Sequence, residues 1–247
     1  RDMAILKRYT FKIGPLLIVT LLLVGLFIPG QPARGAGLNS PSGVSLAGVH
    51  YYGGQLPDGS YLPDMSVPSG QRGWNVETVV AFEWDPGSGQ YVDKCNNGDL
   101  EYALGPAWRA QLEGLVNIIR IDYRKDQAGN IIAVPSNSAE YTSWSNSFIR
   151  CVARFRSYQR NGSTYDLASL FIVGNEPNLD GGISDVAYAN AFNHLWGRKG
   201  SMVSGTELLA VFNSPFTPPE WMYTMTSRLN GVDGFAFHTG GARPSCQ

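Results

Sequence analysis

The sequence predicts an α/β fold, a (β/α)8 TIM barrel that is incomplete, with about six strands present. Three observations predict it. Short apolar runs alternate with longer segments of helical character, the pattern of βαβ units on a parallel sheet. Within the runs, bulky apolar residues alternate with polar or small ones, so each strand has two chemically distinct faces. The chain of 247 residues is 43% hydrophobic and 16% charged, enough apolar material for one large core. The rival is an open doubly wound sheet. Its strands are covered on both faces and read as continuous apolar runs, which fits the alternation less well.

From the N-terminus, Lys7, Arg8 and Lys12 precede a nearly apolar stretch from Ile13 to Ile28, and small residues from Ala33 to Ala36 follow. That order of charge, apolar core and small residues is that of a signal peptide. The stretch is also close to the about 20 residues that span a bilayer, so a retained membrane anchor through residues 13–28 is the second reading. Both readings put the rest of the chain in a secreted, periplasmic or cell-surface location. The sequence opens on Arg1 rather than Met and is read as a piece of a longer protein or as one with a misplaced start. Residues 37–45, rich in Gly, Ser, Pro and Asn, read as a linker, and residues 46–247 as the partial barrel.

The expected strands are Leu46–Tyr52, Thr78–Trp84, Asn117–Tyr123, Ala168–Gly174, Leu208–Asn213 and Gly234–His238. The expected helices are Pro106–Gly114, Ala139–Tyr158, Asp185–Trp196 and Pro219–Leu229, with Pro106 and Pro219 placed in first turns, where a proline costs no hydrogen bond. In the second helix Trp144, Phe148, Val152 and Phe155 recur at spacings of three and four, an amphipathic stripe. The Gly- and Pro-rich stretch between Tyr52 and Thr78 reads as a long loop. On the third strand Ile119 and Ile121 oppose Arg120 and Asp122. The polar set is expected to face inward, and active sites of this fold lie at the C-terminal rim. The parity therefore gathers His50, Arg120, Asp122, Glu176 and His238 at one mouth.

A formal net charge of −1 favours neither nucleic acid nor anionic lipid as a partner. Cys95, Cys151 and Cys246 permit one disulfide in an exported protein, and the sequence does not select the pair. No Cys-x-x-Cys or His-x-x-x-His spacing occurs, so neither a metal nor a cofactor is expected.

Chemistry concentrates in Phe171-Ile172-Val173-Gly174-Asn175-Glu176-Pro177-Asn178. An apolar strand runs directly into a carboxylate, which leaves Glu176 half-desolvated at the strand end. Desolvation raises a carboxyl pKa, as a general acid requires. Asn175 offers a donor and an acceptor suited to a sugar hydroxyl. The structural readings are a helix-capping Glu176, an internal ion pair of Arg120 with Asp122, and an Asp-Pro turn at Asp85. Glu83 is a second rim carboxylate, and Asn161-Gly162-Ser163 is a glycosylation sequon.

The Asn175-Glu176-Pro177 motif on the fourth run, together with a sixth run ending in His238, resembles the clan of retaining glycoside hydrolases built on (β/α)8 barrels, cellulase-like and xylosidase-like families among them. The resemblance covers about residues 46–247. It implies hydrolysis of an oligo- or polysaccharide, with Glu176 as catalytic acid/base and Asn175 as a partner of the sugar 2-hydroxyl. His238, His50 and Arg120, which strand parity places at the same mouth, are the further candidate substrate contacts. Gly240 stands where many members have Tyr. The clan's nucleophile ends the seventh strand, so it is expected beyond Gln247, and these residues alone are expected to be inactive. The alternative function is a catalytically inactive barrel that binds cell-wall or extracellular polysaccharide. A Glu at the end of a seventh strand separates the two.

Overall fold

The structure is a computed structural model that describes residues 44–50, 72–96, 100–178, 181–212 and 219–237. The expected export segment, residues 1–36, and His238 lie outside them. Among the described residues no helix is long and apolar enough to cross a membrane.

Six parallel strands form the backbone of the sheet: β1 (Val44–His50), β2 (Arg72–Asp85), β4 (Val116–Lys125), β8 (Ala168–Val173), β9 (Glu207–Phe212) and β10 (Gly234–Phe237). Each is paired with the next in sequence. A doubly wound sheet reverses strand order part-way; this path does not reverse. No pairing of β10 with β1 closes the sheet among the described residues. Two short strands lie off this path, β3 (Gln90–Asp93) antiparallel to the end of β2 and β5 (Ile131–Ile132) antiparallel to the end of β4.

Helices α1 (Glu101–Leu112), α2 (Tyr141–Arg156), α3 (Asp185–Trp196) and α4 (Pro219–Arg228) intervene. The side chains that meet them are the apolar set of each strand: Val79 and Ala81, Ile119 and Ile121, Phe171 and Val173, Leu208 and Ala210, all fully buried in one core. Trp144, Phe148, Val152 and Phe155 of α2 are also fully buried. At about 1.5–3 kcal/mol per buried large side chain, that stripe accounts for the packing of α2 on β2, β4 and β8. Ser184 caps α3, its side chain accepting a hydrogen bond from the Ala187 N–H at 3.2 Å.

Several boundaries differ from expectation. Helix α1 starts at Glu101, so Pro106 is interior rather than in the first turn and removes one rung of the ladder. The first turn closes instead on the buried Leu100, whose carbonyl accepts the N–H groups of Ala103 and Leu104 at 2.9 and 2.8 Å. The apolar face of Ala103, Leu104, Ala107 and Ala110 outweighs the lost bond. Strand β2 begins at Arg72, which shortens the expected loop; residues 51–71 lie outside the described set. Strand β1 begins at Val44, inside the stretch read as linker.

The short hairpin β6 (Tyr158–Arg160) with β7 (Ser163–Tyr165) turns through Asn161 at φ 50° and Gly162 at φ 77°, the left-handed pair that an Asn-Gly hairpin favours. Cys95 and Cys151, both buried, form a disulfide between the segment after β3 and α2. Tyr188 of α3 is fully buried and set between two strands: its hydroxyl donates to the Val173 carbonyl and accepts from the Val211 N–H, both at 2.9 Å. Burial holds its phenol pKa above the ordinary value.

Candidate active site

Strand β8 delivers the motif. The Gly174 N–H continues the ladder, donating to the Ile121 carbonyl at 2.9 Å. Gly174 then turns the chain with φ 78°, and a Cβ here would lie 2.9 Å from the Ala133 carbonyl oxygen. That carbonyl is fixed from the other side, accepting the Tyr123 N–H at 3.0 Å. Only glycine satisfies both the left-handed backbone and the close approach. Asn175 and Glu176 follow, both half-buried, and then the buried Pro177, whose carbonyl accepts the Ile183 N–H at 2.7 Å ahead of α3. Glu176 therefore sits on a short connection pinned at both ends.

Arg120 reaches this connection from β4. Its Nη1 donates to Asn175 Oδ1 at 2.9 Å, and its Nε lies 3.5 Å from the carboxylate of the fully buried Asp122. With its oxygen held by the guanidinium, the Asn175 amide is fixed in orientation. Arg120, from the middle of β4, thus meets Asn175 at the C-terminal end of β8, next in sequence to Glu176. The Arg120–Asp122 ion pair read from the sequence is present, and it is tied into the motif through Asn175. Sequence reading did not find that tie, because it joins side chains 55 residues apart.

The other sequence candidates are placed as follows. His50 ends β1 and pairs with Val76, at the level of Ile118 and Leu170, well before the Asn175–Glu176 pair. His238 lies outside the described residues. Glu83 is held between Lys94 and Lys125, at 3.3 and 3.4 Å. Asp85 accepts the Gly87 and Ser88 N–H groups at 3.0 and 3.2 Å, and the Ser88 hydroxyl and then these amides hold its carboxyl below the usual range. That is the structural Asp-Pro turn. Among the described residues no group of three or more His, Cys, Asp or Glu is arranged to hold a metal ion.

No protein-family model matches the chain, and comparison with curated proteins finds no match. Two solved structures are similar at low identity. One is the GH53 catalytic domain of Ignisphaera aggregans, 14% identical with a TM-score of 0.45 over 85% of this chain and 61% of that one. The other is a family 18 chitinase from Crocus vernus, 10% identical with a TM-score of 0.40 over 78% of this chain and 68% of that one. The chain therefore spans 61% of the length of the GH53 domain.

Proposed function

We propose that this chain belongs to a glycoside hydrolase that cleaves an oligo- or polysaccharide outside the cytoplasm, on a (β/α)8 barrel of which these strands are part. The observation that carries the reading is the connection Gly174-Asn175-Glu176-Pro177 at the end of β8, with Asn175 oriented by Arg120 at 2.9 Å. In this reading Glu176 protonates the leaving glycosidic oxygen, and a second carboxylate about 5–5.5 Å away attacks the anomeric carbon, giving retention. Glu176, as its conjugate base, then takes a proton from the water that releases the sugar. The Asn175 amide donates to the sugar 2-hydroxyl, and His238 is a further sugar contact.

An extracytoplasmic location is part of the proposal. The basic-then-apolar order of residues 7–28 supports it, as does the Cys95–Cys151 disulfide, since such bonds persist in oxidising compartments. Fractionation with N-terminal sequencing tests it: a soluble cytoplasmic product refutes it.

The test of mechanism is Glu176→Gln in the full-length gene product, which would carry the second carboxylate. General acid catalysis contributes about 10²–10⁴-fold, so turnover of a natural glycan should fall by that factor. Azide should rescue a Glu176→Ala variant on an activated aryl glycoside. Unchanged turnover of the natural glycan by Glu176→Gln refutes the assignment.

A further inference from the structure

Strand β2 runs for 14 residues and rises past the C-terminal end of β8, where β3 folds back on it. On this arm Trp84 and Tyr91 are cross-strand partners, their rings 5.3 Å apart and edge-to-face. The Arg124 guanidinium stands 5.1 Å from the Tyr91 ring centre and 5.0 Å from that of Tyr123. Tyr91 is 38% exposed, and Trp84 is partly exposed.

The arm is rigid. Glu83 bridges to Lys94 and Lys125, Asp93 accepts from Ser147 at 2.7 Å and pairs with Arg150, and the Cys95–Cys151 disulfide fastens its far end to α2. An exposed aromatic pair on so firmly anchored a hairpin contributes nothing to the core described above. It presents a preorganised apolar surface.

Its position relates it to the motif. Phe82 is level with Arg124, and Ile121 with Val173. With strands about 4.8 Å apart and a rise of about 3.3 Å per residue, Trp84 lies roughly 10–15 Å from Glu176, two strands across. The local charges cancel as a set. Arg124 meets Glu140 at 3.2 Å, Arg150 pairs with Asp93, and the carboxylates of Glu83 and Asp85 on this arm balance Lys94 and Lys125. The surface therefore has the chemistry for the C–H face of a neutral sugar, with no charge left over for an acidic one.

We infer that the Trp84–Tyr91 pair is a subsite for a neutral pyranose unit of a glycan chain, more than one sugar from the bond that Glu176 would cleave. This rests on the glycan reading above and extends it: the ligand is a chain of several neutral sugars. The test is affinity gel electrophoresis of the full chain through soluble neutral glucans, galactans, mannans and xylans, and through a polyuronate. At least one neutral gel should retard the parent protein. Trp84→Ala and Tyr91→Ala should each weaken that retardation about tenfold in apparent Kd, a loss typical of a central aromatic contact. Trp84→Phe, which keeps a ring, should retain most of it, and Tyr223→Ala, which removes an aromatic 76% exposed on α4, should retain all of it. Matching near-ultraviolet circular dichroism of Tyr91→Ala and parent separates lost binding from lost folding. Parental retardation of both alanine variants overturns the subsite and leaves the glycan reading standing, as does retardation by the polyuronate alone. Absence of retardation in every gel overturns both.

Discussion

Replacing Gly174 with Ala perturbs the connection that carries Glu176, and the structure separates two costs. The first is backbone conformation: at φ 78° an L-residue costs about 1–2 kcal/mol. The second is contact: the new Cβ would stand 2.9 Å from the Ala133 carbonyl oxygen and 3.0 Å from the Ala133 Cβ, and that carbonyl is already engaged by Tyr123. Moving it costs about 1–2 kcal/mol more, in the range of overpacked sites. Gly162 supplies the control, having φ 77° and no atom within 4 Å of an added Cβ. Gly162→Ala should therefore cost only the first amount, and Gly174→Ala about 2–4 kcal/mol in all. Urea unfolding at constant m-value measures both, and in a heat scan the larger loss corresponds to roughly 5–15 °C. Amide exchange at Tyr123 should also quicken in Gly174→Ala. Equal urea midpoints for the two variants would refute the contact argument.

Four further outcomes follow from other parts of the molecule. Tyr188→Phe leaves a buried carbonyl and a buried N–H unpaired and should cost about 1–3 kcal/mol in urea, whereas Tyr223→Phe on the exposed face of α4 should cost nothing measurable. Cys95 and Cys151 are 56 residues apart, so replacing both with Ala should cost about 4 kcal/mol by loop-closure entropy; peptide mapping without reductant that found both thiols free would refute the pairing. His194 is held below its usual pKa by burial and then by Arg198, so the unfolded chain takes up its proton first. Stability from this group is present above about pH 6.5 and is lost as pH falls below it, so His194→Gln should flatten the stability profile between pH 7 and 5; an unchanged slope refutes this. Arg120→Lys gives up the directed guanidinium contact to Asn175 and should lower turnover of a natural glycan with little change in urea midpoint; parental turnover would count against that orienting contact.

What the sequence disclosed was whatever a short stretch settles by itself. Helix α3 has the limits Asp185–Trp196 expected of it, because Ser184 caps one end locally and apolar spacing defines the rest. The alternation of Ile119 and Ile121 with Arg120 assigned faces correctly, because strand parity is independent of the neighbouring strands. Proline 106 misled, since a local rule about first turns lost to the buried face of α1. The hairpin through Asn161-Gly162 carried a strong local signal, which the sequon reading of the same residues obscured. The disulfide partner of Cys95 and the amide that Arg120 holds depend on which distant segments meet. No window of sequence contains that information.

The Tyr188 hydroxyl has a geometric consequence for the mouth of the sheet. Val173 and Val211 lie where adjacent parallel strands would exchange a direct N–H to carbonyl bond. Here a phenol oxygen occupies the middle of that exchange, at 2.9 Å from each partner. This rung is therefore carried by a side chain of α3 that bonds β8 and β9 at once. It sits one residue before Gly174, so α3 helps hold the strand end from which the connection bearing Glu176 departs.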